Sequence, residues 1–306
     1  MEREWISWLR GRLPAHPRLR LGPGDDAALI RWAAGPDCVA TSDLLADGVH
    51  FCLTSENRRG VGRKALAVNL SDLAAMAAVP VAAVVSLLLP REGARELAAE
   101  LYEGMLPLAE QFTVAIAGGD TNCWDGPLVV SVTALGDVQE GHALRRGGAQ
   151  VGDWLVVTGQ FGGSLSGHHL DFTPRVREAL QLARSYRLHA GIDVSDGLSL
   201  DVWRMAQESG CGVELEGARI PISDAARQLA ERDGRAPLEH ALADGEDFEL
   251  ALAVPEDEAR RMVADQPLDA ALTAIGRFVG EPGLWQRMPD GTRQPLQPAG
   301  YEHGAR

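Results

Sequence analysis

Ala190-Gly191-Ile192-Asp193-Val194-Ser195-Asp196-Gly197-Leu198 is the stretch on which the fold reading turns. A short apolar run of strand length ends in two aspartates that flank a serine. A glycine follows, and then Leu198 to Ser209 carries apolar residues at helical spacing. The same order, a strand, an acidic turn and a helix, returns along the chain. Further acidic clusters sit where apolar runs stop: Gly24-Asp25-Asp26, Thr41-Ser42-Asp43, Asn69-Leu70-Ser71-Asp72, Gly118-Gly119-Asp120-Thr121, Asp201 and Gly245-Glu246-Asp247. Asp and Gly mark turns in any protein, so one such cluster says little. Repetition says more, because carboxylates beside Ser, Thr and Gly, with almost no Cys or His near them, are the donor set of hard cations.

Outward from that stretch, the pattern predicts two α/β domains. In the first, Glu2 to Leu13 reads as an amphipathic helix, and Ala27 to Ile30 and Cys38 to Thr41 read as strands. Val61 to Ala78, rich in Ala and Leu, predicts a buried helix with Asn69 and Asp72 on nearby faces. Val81 to Leu89 is continuously apolar and predicts a strand covered on both faces. Glu92 to Gln111 reads as helix, Thr113 to Ala117 as a strand running into the Gly118-Gly119-Asp120 turn, and Leu128 to Leu135 as a returning strand. Arg145-Arg146-Gly147-Gly148 marks a boundary, giving domains over 1–140 and 141–306. In the second, Trp154 to Thr158, Ala190 to Val194, Phe248 to Val254 and Leu272 to Phe278 read as strands. Arg175 to Tyr186, Leu198 to Ser209 and Glu256 to Ala264 read as helices, and Gln294 to Arg306 as a loosely held tail. The fold class is α/β (α+β) with two domains that share a plan but no residue-level repeat.

Composition narrows the function. At 306 residues there is chain enough for two cores, and 43 acidic against 29 basic residues leave a net charge of −14. That balance disfavours nucleic acid and anionic membranes as partners. No run of about twenty apolar residues could span a bilayer, and the start Met1-Glu2-Arg3-Glu4-Trp5 has no signal-peptide pattern, so a cytoplasmic location is expected. Cys38, Cys52, Cys123 and Cys211 form no Cys-x-x-Cys pair and read as buried small hydrophobes. Lys64, in Gly62-Arg63-Lys64-Ala65, is the chain's only lysine and a candidate ligand contact, although a solvated lysine is the commoner case.

Standard nucleotide and hydrolase signatures are missing. There is no Gly-x-x-x-x-Gly-Lys-Ser/Thr loop, no His-Arg-Asp or Asp-Phe-Gly element, and no complete dinucleotide fingerprint. No Ser-His-Asp or Cys-His arrangement surrounds His50, His142, His168, His169, His189 or His240. What remains is an acidic, magnesium-mediated grip on a polyphosphate. Magnesium takes one or two protein carboxylates and completes its octahedron with water and phosphate, so this many aspartates would serve several ions clamped on a triphosphate.

At this point the motifs resemble a known family. Gly24-Asp25-Asp26-Ala27-Ala28, Ser42-Asp43, Gly48-Val49-His50-Phe51, Ala67-Val68-Asn69-Leu70-Ser71-Asp72-Leu73-Ala74-Ala75-Met76, Gly118-Gly119-Asp120-Thr121, Asp193-Val194-Ser195-Asp196-Gly197-Leu198 and Gly245-Glu246-Asp247-Phe248-Glu249-Leu250 follow in order. They resemble the thiamine-monophosphate kinase family of the PurM-like, aminoimidazole ribonucleotide synthetase-related superfamily. The resemblance implies a PurM-like architecture, with an N-terminal mixed-sheet dimerisation domain and a C-terminal α/β domain. It implies direct transfer of phosphate from ATP to thiamine monophosphate, several Mg2+ ions and a homodimer. Carried over residue by residue, it assigns metal binding to Asp26, Ser42, Asp43, Asp72, Asp120, Asp193 and Asp196, of which Asp43, Asp72, Asp120 and Asp196 are the catalytic set. Tyr102, Gly119, Arg146 and Ser195 are assigned to the nucleotide, and His50, Glu246 and Tyr301 to thiamine monophosphate. Gly163 to Pro174 is shorter than in the family, where a helix intervenes, so a wall near the nucleotide is expected to be reduced. The alternatives are another ATP-dependent enzyme of the superfamily and a catalytically silent holder of magnesium-nucleotide.

Overall fold

Ten-residue alternation of buried and exposed positions over Asp37–Ala46 makes β3 a strand with one face covered and one bare. The computed structural model describes residues 16–21, 25–31, 35–288 and 290–302; the expected Glu2 to Leu13 helix and Gly24 of the first acidic turn lie outside them. The first sheet has the order β1-β2-β3-β6-β4-β5, with β1 Leu19–Leu21, β2 Ala28–Arg31, β4 Val79–Pro90, β5 Ala115–Trp124 and β6 Val129–Val138. Its pairs are antiparallel except β4 with β5. That parallel pair needs a crossover, supplied by helix α2, Ala94–Gln111. Helix α1, Arg58–Ala75, starts where the Asn57 side chain accepts from the Arg59 amide. It has no polar stripe, because Val61 to Ala75 is buried almost throughout between the first sheet and the second domain.

Two expectations fail here. β4 is not covered on both faces: Val79, Val81 and Val84 are exposed, since α1 and α2 lie on one side and none of the described residues covers the other. Gly118-Gly119-Asp120 is no turn but the middle of β5. Gly119 sits so close to β4 that a Cβ there would stand 1.6 Å from the Val85 carbonyl oxygen, so the glycines that read as a turn serve a close strand approach.

The second sheet runs β13-β12-β9-β11-β7-β10-β8: β7 Trp154–Thr158, β8 Ala190–Val194, β9 Gly212–Glu216, β10 Glu249–Val254, β11 Leu272–Val279, β12 Gly283–Arg287 and β13 Arg293–Pro295. Around it lie α3 His168–Asp171, α4 Val176–Ser185, α5 Leu198–Glu208, α6 Asp224–Asp233, α7 Pro237–Ala243 and α8 Glu256–Asp265. One face, with Leu155, Val157, Ile192, Val194, Val213 and Leu215, packs with α5 into a core of its own. The other, with Val156, Leu250, Leu252 and Val254, joins the core that α1 and the first sheet build. The two domains therefore meet along α1. The Gly163 to Pro174 segment holds a 3-10 turn at Ser164–Ser166 and the short helix α3, so it is short but helical. As far as residue 302 the tail is not loose: the Ser199 hydroxyl donates to the Ala299 carbonyl at 2.9 Å, the Ala299 amide returns a bond at 3.0 Å, and the Tyr301 amide donates to the Asp196 carbonyl at 2.8 Å.

Candidate active site

Three carboxylates from three distant parts of the chain converge. Asp26 comes from the turn before β2, Asp72 from α1 and Asp193 from β8, and one oxygen from each lies within 4.8 Å of the others. The neighbours that hold them are polar and specific. Arg146 donates to Asp26 Oδ1 from Nε at 3.1 Å and from Nη2 at 2.6 Å. The Thr41 hydroxyl donates to Asp72 Oδ2, and the Ser71 hydroxyl to Asp193 Oδ2 at 2.6 Å. Asp25 turns the backbone, accepting from the Asp26 amide at 3.0 Å and the Arg146 amide at 3.3 Å. Asp26 Oδ2 is buried with no hydrogen-bond donor. Among buried polar atoms such an orphan needs a reason.

Electrostatics give the reason. Burial, then the neighbouring Asp43, Asp193 and Asp26, hold Asp72 well above the ordinary carboxylate range. Burial and Asp26 do the same to Asp193. Asp43 on β3, its amide fixed by Asn69 Oδ1 at 3.2 Å, is pushed to about 6 by burial and by Asp196. Like charges packed this way must share protons or cations. Their donors are all oxygen, one of them unclaimed, which fits a hard divalent ion rather than a soft one.

Beside this centre, Asp201 of α5 acts on the backbone: its Oδ2 accepts from the Asp196 amide at 2.9 Å and the Gly197 amide at 3.1 Å. Arg204 pairs with both Asp196 and Asp201, a cation that sequence reading missed, although its spacing of three residues from Asp201 on a helix was visible. Burial and Asp196 raise Asp201 to about 7.

Next to it lies a second group. Glu246 has φ +60, its amide donates to the Ser195 carbonyl at 2.7 Å, and its carboxylate pairs with buried Lys64. Lys64 Nζ also donates to the His50 carbonyl at 2.7 Å. Asp247 holds the glycine turn after β7, accepting from the Gly162 amide at 2.9 Å and from the Ser164 hydroxyl. Glu249 is buried against Arg175 and Thr158. Tyr301 lies half exposed on the tail that bonds Asp196.

Not every expected residue joins. The Ser42 side chain faces the bare side of the first sheet and meets the Thr133 hydroxyl at 2.9 Å. Asp120 is exposed on β5, in register with Ser86, and Ser86 pairs with Ser131 opposite Leu44. Since paired residues share a face, Asp120 and Ser42 both lie across the sheet from Asp43. Gly119 is on the same edge strand, and Tyr102 is half buried on α2. Of the four cysteines only Cys211 is buried; Cys52 is exposed, because the loop before α1 turns it outward.

Two sheets joined along a central helix, with an acidic centre fed from both, define an AIR synthase-related protein. The family models for the N-terminal and C-terminal domains of AIR synthase related proteins match residues 24–138 and 143–284. The thiamine-monophosphate kinase of Rhodopirellula baltica is 45% identical over 311 residues, covering 99% of this chain and 98% of that protein. That of Escherichia coli K12 is 33% identical, with 94% and 93% covered. Among solved structures, AaThiL complexed with AMPPCP and TMP superposes with a TM-score of 0.85 at 28% identity, covering 99% of this chain and 96% of that one. The chain belongs to the thiamine-monophosphate kinase family.

Proposed function

We infer that this protein phosphorylates thiamine monophosphate to thiamine diphosphate with ATP as donor. The observation that carries the reading is the meeting of Asp26, Asp72 and Asp193, from both domains, around an unclaimed buried oxygen. The relatives are named for this reaction, and AaThiL was solved with AMPPCP, an ATP analogue, and with TMP. Asp26, Asp43, Asp72, Asp193 and Asp196 would hold magnesium, with Ser42 and Asp120 as outlying members on the strength of the family pattern alone. Magnesium, when bound, neutralises charge on the attacking and leaving oxygens. Arg146, Ser195, Gly119 and Tyr102 are the proposed nucleotide contacts, and His50, Glu246 and Tyr301 the proposed contacts to thiamine monophosphate.

The residues present suffice for the chemistry. A phosphate monoester oxygen has a second pKa of about 6, so the acceptor is already an anion at neutral pH and needs no strong base. Arg146 anchors Asp26, Thr41 anchors Asp72 and Ser71 anchors Asp193, so the carboxylates are positioned before any ligand arrives. The silent-binder reading gains nothing here.

The N-terminal domain, proposed to end at residue 140, is the proposed dimerisation unit, and the proposed location is cytoplasmic. No helix among the described residues is long and apolar enough to cross a membrane. The functional reading is tested by incubating the protein with ATP and thiamine monophosphate, with and without magnesium, and separating the products. Equimolar ADP and thiamine diphosphate, formed only with the metal, are expected; ADP without thiamine diphosphate would refute it.

A further inference from the structure

We propose that Lys64 is a positioning residue for the acceptor substrate: it ties the His50 loop of the N-terminal domain to Glu246 of the C-terminal domain and so fixes the carboxylate against which the thiamine half docks. The proposal rests on the reading that Glu246 contacts thiamine monophosphate. Lys64 lies on α1 with none of its surface exposed, although lysine is almost never fully buried unless paired. Its ammonium has two partners in two domains, the His50 carbonyl at 2.7 Å and Glu246 Oε2. Every other basic residue apart from the histidines is an arginine. Among the described arginines and this single lysine, Lys64 is the one with no exposed surface, and a compact ammonium is what meets the carbonyl and the carboxylate there.

Glu246 needs such a partner. Its backbone lies in the left-handed region, with its N–H donating a hydrogen bond to the Ser195 carbonyl, which fixes where the side chain starts but not where it ends. Lys64 forms an ion pair with Oε2, which is buried and has no hydrogen bond beyond that pairing among the described residues. The carboxylate therefore keeps capacity for a donor or cation of the ligand, and thiamine carries both an amino group and a cationic ring. Because the same ammonium holds the His50 carbonyl, the two halves of the pocket are set by one charge.

The test is a double-mutant cycle of Lys64→Met and Glu246→Gln, read as kcat and KM for each substrate together with melting temperature. Lys64→Met is expected to raise KM for thiamine monophosphate at least tenfold, with KM for ATP within twofold and kcat within threefold. In the Glu246→Gln background the same change is expected to cost less than threefold, since the partner is already lost. Equal costs in both backgrounds, or a loss shared by kcat and both KM values, would overturn the proposal. If Glu246→Gln itself leaves KM for thiamine monophosphate unchanged, the substrate-contact reading fails, and the proposal with it; additive costs sink the proposal alone. Should Lys64→Met not fold, the double variant, which buries no unpaired charge, is compared with Glu246→Gln: KM values within threefold support the proposal, and a further tenfold rise refutes it.

Discussion

Asp72 shows what the acidic centre demands of a single residue. It is partly buried, and desolvation together with Asp43, Asp193 and Asp26 holds its carboxyl well above the ordinary range. Such a group works against the ion-free fold and for a bound cation. Asp72→Asn removes one charge and keeps an oxygen to accept from Thr41. We expect activity to fall at least a hundredfold while the melting temperature in EDTA rises by several degrees, and the stabilisation on adding magnesium to shrink; calorimetry with and without magnesium checks all three. Asp247 makes the same point outside the metal set. Burial raises it to about 7, against the lowering effect of Ser164 and Gly162. The folded state thus binds a proton more tightly than the unfolded one, so its contribution to stability is full below about pH 4 and is lost as pH rises through about 7. The ceiling on that loss is about 4 kcal/mol. Asp247→Asn should flatten melting temperature against pH between 5 and 8; an unchanged slope would show that Asp247 ionises normally.

At the scale of elements, what was legible followed from periodicity. β7 and β8 were read to the residue, and α5 and β10 to within one, because a five-residue apolar run closed by a turn has few other fates. What was missed had no such contrast. β9 is Gly-Val-Glu-Leu-Glu, buried in the sheet with Glu214 taken up by Arg287, a partner that only tertiary structure supplies. α6 and α7 are short and polar outside. The trio of aspartates was legible as chemistry, but not that Ser42 would fall on the far face of β3, which depends on a one-residue phase. Nor does sequence show why α1 and α2 contain Gly62 and Gly104. The helices cross so closely that a Cβ on Gly62 would stand 1.9 Å from the Leu101 carbonyl oxygen, and one on Gly104 1.8 Å from that of Arg59. Gly104→Ala gains helix propensity worth about 1 kcal/mol but must push the helices apart, so we expect a net loss of 2 kcal/mol or more by urea unfolding. A neutral or stabilising result would mean the crossing is loose.

For the whole molecule, the bare face of the first sheet is the unfinished part. Among the described residues, both helices of that domain, α1 and α2, lie on the other side, and the exposed row holds Leu44 at 59%, Val81 at 44% and Val84 at 39% exposure. The hydroxyls of Ser42, Ser131 and Thr133 lie among them, in register across β3 and β6. A sheet face that exposes Leu44, Val81 and Val84 with only hydroxyls between them, its aspartates lying toward the rim, is a surface that a second copy could cover. Leu44→Glu would place a charge at the centre of that face and, in a symmetric pair, two charges near one another. We expect the unaltered protein to sediment as a dimer at micromolar concentration and Leu44→Glu as a monomer with its own fold intact. Asp120 and Gly119 stand on β5 at the edge of the same face, away from the trio that Asp26, Asp72 and Asp193 form, so the monomeric variant also separates two roles. If thiamine diphosphate formation persists in the monomer, the acidic trio and the Lys64–Glu246 pair suffice within one chain; if it is lost while magnesium still raises the melting temperature, the edge residues act only when a second copy lies against them.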